Sequence, residues 1–120
     1  MMDKKDIKIE KMSFAFAKEI LGLVFSLPQN ETRFVLGKQL MRSGTSVGAN
    51  IEEAQGGLSR AEFIHSMNIA KKEARETLYW LKLLLEFDFI DNNRVRKLID
   101  DCDVLLKMLT AIVKTSQTKK

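Results

Sequence analysis

The side chains best suited to chemistry in this sequence are a single histidine, a single cysteine and several glutamates. His65 has no second histidine or cysteine at the spacing of a zinc ligand pair, so we expect a surface histidine. Cys102 falls on an apolar helical stripe, where a thiol behaves as a small hydrophobe. No histidine follows Glu73 or Glu76 by three residues, as the Glu-x-x-His pairs of di-iron bundles require. We therefore predict no catalytic residue, no metal site and no cofactor.

The segment from Arg42 to Gly56 combines helical spacing of apolar residues with residue types that helices disfavour. An interior glycine costs up to about 1 kcal/mol relative to alanine, and Ser, Thr and Asn are also weak helix formers. Such a helix persists only if neighbours pack against it. Gly44 and Gly48 share one side, which predicts close approach of another helix or subunit and makes both candidates for an oligomer interface.

Three motifs in this region and after it resemble those of a known family. They are the run from Ser43 to Ala54, the tetrapeptide Glu62-Phe63-Ile64-His65, and the run from Lys72 to Leu81 that includes Tyr79-Trp80. Together they are similar to the bacterial 23S rRNA intervening-sequence proteins, also described as S23 ribosomal protein-like. The resemblance covers nearly the whole chain. One departure is Ala54, which stands where the wider family often has glycine.

The resemblance implies a four-helix bundle and no established activity. Members of the family are similar to the accessory proteins of diversity-generating retroelements, which are basic pentameric bundles that bind a reverse transcriptase and nucleic acid. A homopentamer is therefore what the resemblance implies here.

Composition and the positions of turn and cap residues predict one all-α domain over residues 1–120. The chain has 120 residues, 45% of them hydrophobic, and a single proline, Pro28. Turn and cap signals divide it into helices at about 7–27, 31–55, 60–87 and 92–115, followed by a frayed basic tail over 116–120. Short connections make consecutive helices antiparallel, so we predict a left-handed up-down-up-down bundle with crossing angles near about 20°.

We predict that the protein is cytoplasmic. A lone cysteine cannot form an internal disulfide, which is typical of a reducing compartment. The apolar run from Met12 to Leu27 follows several lysines, but Lys18 and Glu19 interrupt it and no signal-peptide cleavage site follows. No apolar segment is long enough to span a membrane.

The third helix carries charged side chains on both flanks of its inward apolar stripe. Beside its inward stripe, one flank carries Glu73, Glu76 and Trp80. Carboxylates next to apolar residues are costly to bury unless they are paired. We predict a structural polar layer, between helices two and three or across subunits, made of Arg42, Ser46, Asn50, Glu53 and Glu76. A solvated charged face and a binding site are the alternatives.

The opposite flank of the third helix is basic and is the best nucleic-acid candidate. The chain has a formal net charge of +4 and a pI of about 9.3. Cations on this flank can contact phosphates, and a tyrosine among them can stack on an unpaired base. The candidate residues are Lys71, Lys72, Arg75, Tyr79 and Lys82. A solvated helix face is the alternative.

Apolar surface on helices one and three is wider than one core can bury and includes Trp80 and Phe87, which we therefore add to the oligomer interface candidates.

Two classes of function follow for this non-enzymatic protein. One is an accessory protein that binds RNA or DNA as a homo-oligomer. The other is an oligomeric scaffold for another protein, such as a polymerase or a reverse transcriptase.

Overall fold

The computed structural model describes residues 4–87 and 91–118, and the regular elements in those ranges are all helical. They are α1 (Lys4–Ser26), α2 (Lys38–Gln55), α3 (Arg60–Leu84) and α4 (Asn92–Thr118). A π-helical turn, Arg33–Gly37, leads directly into α2. The prediction of an all-α chain with four helices is confirmed, and the described residues contain no strand.

The predicted helix bounds differ from the observed ones mainly at the ends. α1 begins at Lys4 rather than near residue 7. α3 ends at Leu84 rather than near 87, because the amide of Phe87 donates to the carbonyl only three residues back, at 3.1 Å. α4 continues to Thr118, so the predicted frayed tail is helical from 116 to 118, and residues 119–120 lie outside the described residues.

The π-helical turn is a feature that the sequence did not predict. Asn30 precedes it and accepts a hydrogen bond from the Arg33 amide at 3.2 Å. A π turn accommodates more residues per turn than an α-helix and therefore changes the direction of the side chains before α2. Gly37 faces α1, where an added Cβ would lie 2.9 Å from Val24. Phe34 points outward and is 71% exposed.

Capping residues fix the starts of α3 and α4. Ser59 Oγ accepts from the Glu62 amide at 3.1 Å, and the Glu62 carboxylate accepts from the amide of Leu58 rather than that of Ser59. Asp91 Oδ1 accepts from the Arg94 amide at 3.2 Å. Both caps satisfy amides that have no partner within their own helix.

One apolar core joins the four helices. The predicted stripes supply most of it, and all of their members are buried except the half-buried Met12: Phe16, Ile20, Leu23 and Leu27; Leu36, Leu40, Val47, Ile51 and Ala54; Phe63, Met67, Ala70, Ala74, Thr77, Leu81 and Leu84; Val95, Leu98, Cys102, Leu105, Leu109 and Ile112. α1 and α3 each pack against both α2 and α4.

Side-chain contacts join α1 and α2 at several places. Near the start of α1, Glu10 accepts from Gln55 at the end of α2. Further along α1, Ile20 lies against Gly44 in the middle of α2. None of the helices in the described ranges is long and apolar enough to cross a membrane.

Candidate nucleic-acid interface

The predicted cations of α3 lie on the flank opposite the one that meets α2. Lys72, Arg75 and Lys82 are exposed and Lys71 is half-buried. Tyr79 lies among them and is 60% exposed. We call these five residues the basic face.

Within the described residues, none of the four cations of the basic face forms an ion pair. Other cations in the molecule do. Lys97, for example, lies 3.2 Å from Glu19 and 2.9 Å from Asp101. An external anion that binds the basic face would therefore not displace an internal carboxylate described in this structure.

The ring of Tyr79 in the basic face packs against the ring of Trp80. Tyr79 and Trp80 meet edge to face, with their centroids 5.1 Å apart and an interplanar angle of 72°. Trp80 is half-buried against the core and donates from Nε1 to Glu76 Oε2 at 3.1 Å. Such edge-to-face pairs are favourable beyond the area that they bury. The exposed part of the Tyr79 ring is thus supported and available to stack on an unpaired base.

The acidic flank of α3 is paired within the chain. Arg42 of α2 contacts Glu73 at 3.4 Å and also bonds to Glu76. The side chain of Glu73 is only 15% exposed and that of Glu76 is 30% exposed, so both need a cationic partner. Deeper in the same interface, the hydroxyl of Thr77 lies 2.9 Å from that of Ser43.

This arrangement brings together part of the predicted polar layer. Arg42 and Glu76 are in contact, whereas Ser46 donates to the Arg42 carbonyl at 2.7 Å and Asn50 donates to the Ser46 carbonyl at 2.8 Å. Short polar side chains on a helix commonly bond to the carbonyl one turn back. Glu53 is exposed and contacts no partner in the described residues.

Gly44 and Gly48 lie against another helix, which is the first of the two predicted alternatives, and not against a second subunit. A Cβ on Gly44 would lie 3.0 Å from Ile20, and one on Gly48 would lie 3.4 Å from Ser13. Both neighbours belong to α1 of the same chain. The expectation of an oligomer interface at these glycines is therefore corrected, because α1 already occupies the space beside them. The other two interface candidates, Trp80 and Phe87, are half-buried against the core.

The residues considered for catalysis are placed as follows. His65 is exposed, and Cys102 is fully buried with its sulfur 3.2 Å from the Ala74 carbonyl oxygen. Burial, with a smaller effect of Asp103 and then Asp101, raises the pKa of the Cys102 thiol to about 12. A thiol with that pKa forms very little of the nucleophilic thiolate at neutral pH. The described ranges contain no group of three His, Cys, Asp or Glu side chains that could hold a metal ion.

The sequence predicted apolar surface on α1 wider than one core can bury, but the residues of this second stripe were not identified. Phe14 is 70% exposed and Phe25 is 64% exposed. With Ile7 and Leu21 they recur at intervals of seven, seven and four residues outside the core stripe. We call these four residues the outer seam, and its spacing was the signal that could have revealed it. At its end, Phe25 and Phe34 line a cleft of about 690 Å³.

Comparison with known proteins gives the family. Residues 5–111 match the model of the 23S rRNA-intervening sequence protein. The chain belongs to this family. It is also similar to the crystal structure of a protein of unknown function from the S23 ribosomal protein family of Bacteroides thetaiotaomicron VPI-5482. The two are 43% identical with a TM-score of 0.85, over 92% of this chain and 98% of that one. No curated protein matches.

The match to the 23S rRNA-intervening sequence family extends over α1, α2 and α3 and most of α4. It therefore includes the basic face, the Arg42 pairings and the outer seam. The predicted membership of this family is confirmed.

Proposed function

We propose that this member of the 23S rRNA-intervening sequence family is a non-enzymatic, homo-oligomeric accessory protein that binds RNA or DNA in the cytoplasm. The observation that carries the proposal is the basic face, where Lys71, Lys72, Arg75 and Lys82 have no carboxylate partner among the described residues. A pentamer, as in the accessory proteins of diversity-generating retroelements, follows from the resemblance of the sequence.

We infer a left-handed, antiparallel up-down-up-down arrangement with crossing angles near about 20°. The antiparallel direction is supported by the contacts of Glu10 with Gln55 and of Ile20 with Gly44, whose residue numbers rise along α1 and fall along α2. Along α4 the same trend is found, since Glu19 pairs with Lys97 and Ser26 accepts from Arg94.

In the proposed mode of binding, the cations contact phosphates and the Tyr79 ring stacks on an unpaired base. Phosphate contacts position a nucleic acid but do not read its sequence, so recognition depends on shape and on single-stranded segments. One basic face is a modest site. Several copies in an oligomer bind multivalently and raise the overall affinity.

The test is the double variant Lys71→Glu with Arg75→Glu. Fluorescence anisotropy with a structured RNA that has an unpaired loop should show a loss of affinity of at least about tenfold, because two phosphate contacts become repulsive. Wild-type affinity should fall steeply with salt through counterion release, and the slope should be smaller by about two in a Lys71→Ala, Arg75→Ala variant. Circular dichroism and light scattering should be unchanged, since neither side chain belongs to the core.

The matched control is Lys4→Glu with Lys8→Glu on α1, which makes the same change in net charge away from α3. This control should retain most of the affinity. Equal losses in both double variants would mean that binding reflects net charge and not the basic face. If the wild-type protein binds neither RNA nor DNA, and a specific protein co-purifies with it instead, the oligomeric scaffold for a polymerase or reverse transcriptase becomes the better function.

A further inference from the structure

The outer seam gives α1 a second apolar surface in addition to the one in the core. Its members, Ile7, Phe14, Leu21 and Phe25, follow the seven-residue spacing by which one helix packs along another. By the rise of an α-helix the seam is roughly 27 Å long. This length is suited to another helix and exceeds what a single nucleotide or small ligand covers.

The seam exposes a large apolar area. Phe14 is 70% exposed, Phe25 is 64% exposed and Ile7 is 47% exposed. A phenylalanine can bury about 150–250 Å², so these side chains and the neighbouring Phe34 expose several hundred Å² together. That is at the upper end of the range for apolar patches on monomers, and such patches commonly mark interfaces.

Charges along the seam indicate what covers it. The seam is interrupted by Lys11 and Lys18, both exposed. At its edge towards α2, Glu10 and Glu52 are hydrogen-bonded to each other and Glu10 also accepts from Gln55. A partner should therefore be apolar and carry carboxylates that reach the two lysines. The carboxylates of Glu10 and Glu52 at the edge would repel phosphates, so a nucleic acid is disfavoured.

The α2–α3 flank of this chain carries such carboxylates. Glu53 and Glu62 are exposed there, and Glu73 and Glu76 share the single guanidinium of Arg42, which leaves excess negative charge. Trp80 adds a half-buried aromatic side chain. The other titratable side chain on this flank is the exposed His65.

We infer that the outer seam of α1 is an intersubunit contact and that its occupant is the acidic α2–α3 flank of a second copy of this chain. The inference rests on the proposed homo-oligomer and specifies its interface. Because the two contacting surfaces are different, the contact is head to tail, which is the kind that closes into rings.

Light scattering of a Phe14→Glu, Phe25→Glu variant at micromolar concentration tests the inference. Wild type should be an oligomer and the variant a monomer with unchanged helicity. The control Val104→Glu, Ala111→Glu places the same two charges on exposed side chains of α4, away from both the seam and the α2–α3 flank, and it should remain an oligomer. A monomeric wild type would overturn the proposed homo-oligomer. An oligomeric wild type with an equally oligomeric double variant would overturn only the interface.

Thiol labelling tests the same contact without a disruptive charge. The buried Cys102 is unreactive at neutral pH, so a Phe14→Cys variant reports on the seam alone. Maleimide labelling should be at least about tenfold slower at concentrations where the oligomer forms than after dilution, as mass action requires. Val104→Cys, at an exposed position of α4, should label at the same rate in both conditions. A Phe14→Cys rate that does not change with concentration would contradict the inference.

Mixing distinguishes the head-to-tail contact from a symmetric one. A Glu53→Lys, Glu62→Lys variant should also be monomeric, because its flank repels Lys11 and Lys18. Mixed with the Phe14→Glu, Phe25→Glu variant it should form dimers and nothing larger, since the pair has one intact seam and one intact flank. A mixture that remains monomeric would overturn the assignment of the α2–α3 flank as the occupant.

Discussion

The two sides of α2 are stabilised by opposite kinds of contact. On the side facing α1, Gly44 and Gly48 let the two backbones approach closely, with Ile20 and Ser13 in the space where side chains would be. On the side facing α3, polar side chains reach across, and Arg42 pairs with carboxylates of α3. The weak helix formers of this segment are thus stabilised by two different neighbours.

The comparison shows why a poor intrinsic helix can be a stable one. Glycine, serine and threonine lower helix propensity by up to about 1 kcal/mol each. Tertiary packing overrides that cost. On the α1 side the contact depends on the absence of side chains at the glycines, so a larger residue should destabilise it. On the α3 side the contact depends on paired polar side chains, so removing one of them should destabilise it.

The largest expected effect is that of Gly44→Leu. The added side chain would have to displace Ile20, which lies only 3.0 Å from the position of a Cβ. We expect the free energy of unfolding to fall by about 2 kcal/mol or more, despite the better helix propensity of leucine. Chemical denaturation measures it. Ala49→Leu on the exposed side of α2 is the control and should change stability by less than about 0.5 kcal/mol. Equal stability of the two variants would mean that α1 is not closely packed there.

Arg42→Ala tests the opposite side of α2. Removing the guanidinium leaves Glu73 and Glu76 close together without their cation, and we expect a loss of about 1–2 kcal/mol, moderated by the partial exposure of all three groups. Denaturation of an Arg75→Ala variant is the control, since Arg75 has no ion pair with a described residue, and it should change by at most about 0.5 kcal/mol. Similar losses would support the alternative of a merely solvated charged face.

Thr77→Val is expected to have a smaller effect. The Thr77 hydroxyl lies 2.9 Å from Ser43 Oγ and 2.7 Å from the Glu73 carbonyl oxygen, so it can donate its proton to either. Valine keeps the shape and removes this buried hydrogen bond, which should lower the free energy of unfolding by about 1 kcal/mol. Thr110→Val removes an exposed hydroxyl bonded within α4 and should be nearly neutral. A neutral Thr77→Val would show that the polar contact does not stabilise the α2–α3 interface.

Much of the fold could be predicted from the sequence, because the core residues recur at helical spacing. The partner of Gly44 could not, since a pattern along one helix does not say which neighbour approaches it. Ser46 and Asn50 were placed in an interhelical layer, but local bonds to their own helix compete with such contacts. The π-helical turn was not predicted either, and its Gly37 packs against Val24 of α1, a tertiary contact that a pattern along one helix does not reveal. Excess apolar surface on α1 was expected from the sequence, and the spacing of Phe14 and Phe25 specifies which residues form it.

The smallest expected effect is at the edge between α1 and α2. There Glu10 and Glu52 form a hydrogen bond, which is neither the close packing of glycines nor an ion pair. The hydrogen bond from Glu52, with that from Gln55, lowers the pKa of Glu10, whereas the hydrogen bond to Glu10 and its charge raise the pKa of Glu52 above its ordinary value of 4.5. Folding therefore favours a proton on Glu52. The stability that Glu52 contributes is fully present below pH 4.5 and is lost as the pH rises through its raised pKa.

The variant Glu52→Gln keeps a permanent donor to Glu10 and removes the titration. At pH 7 its melting temperature should equal or slightly exceed that of wild type, in which the two carboxylates repel each other. Between pH 7 and about 4.5 wild type should recover relative to the variant, because the shared proton returns. Thermal melts of both proteins across that range give the difference directly, and contributions of the other carboxylates cancel in it. A difference that is independent of pH, or that grows in favour of the variant on acidification, would show that the two glutamates do not share a proton.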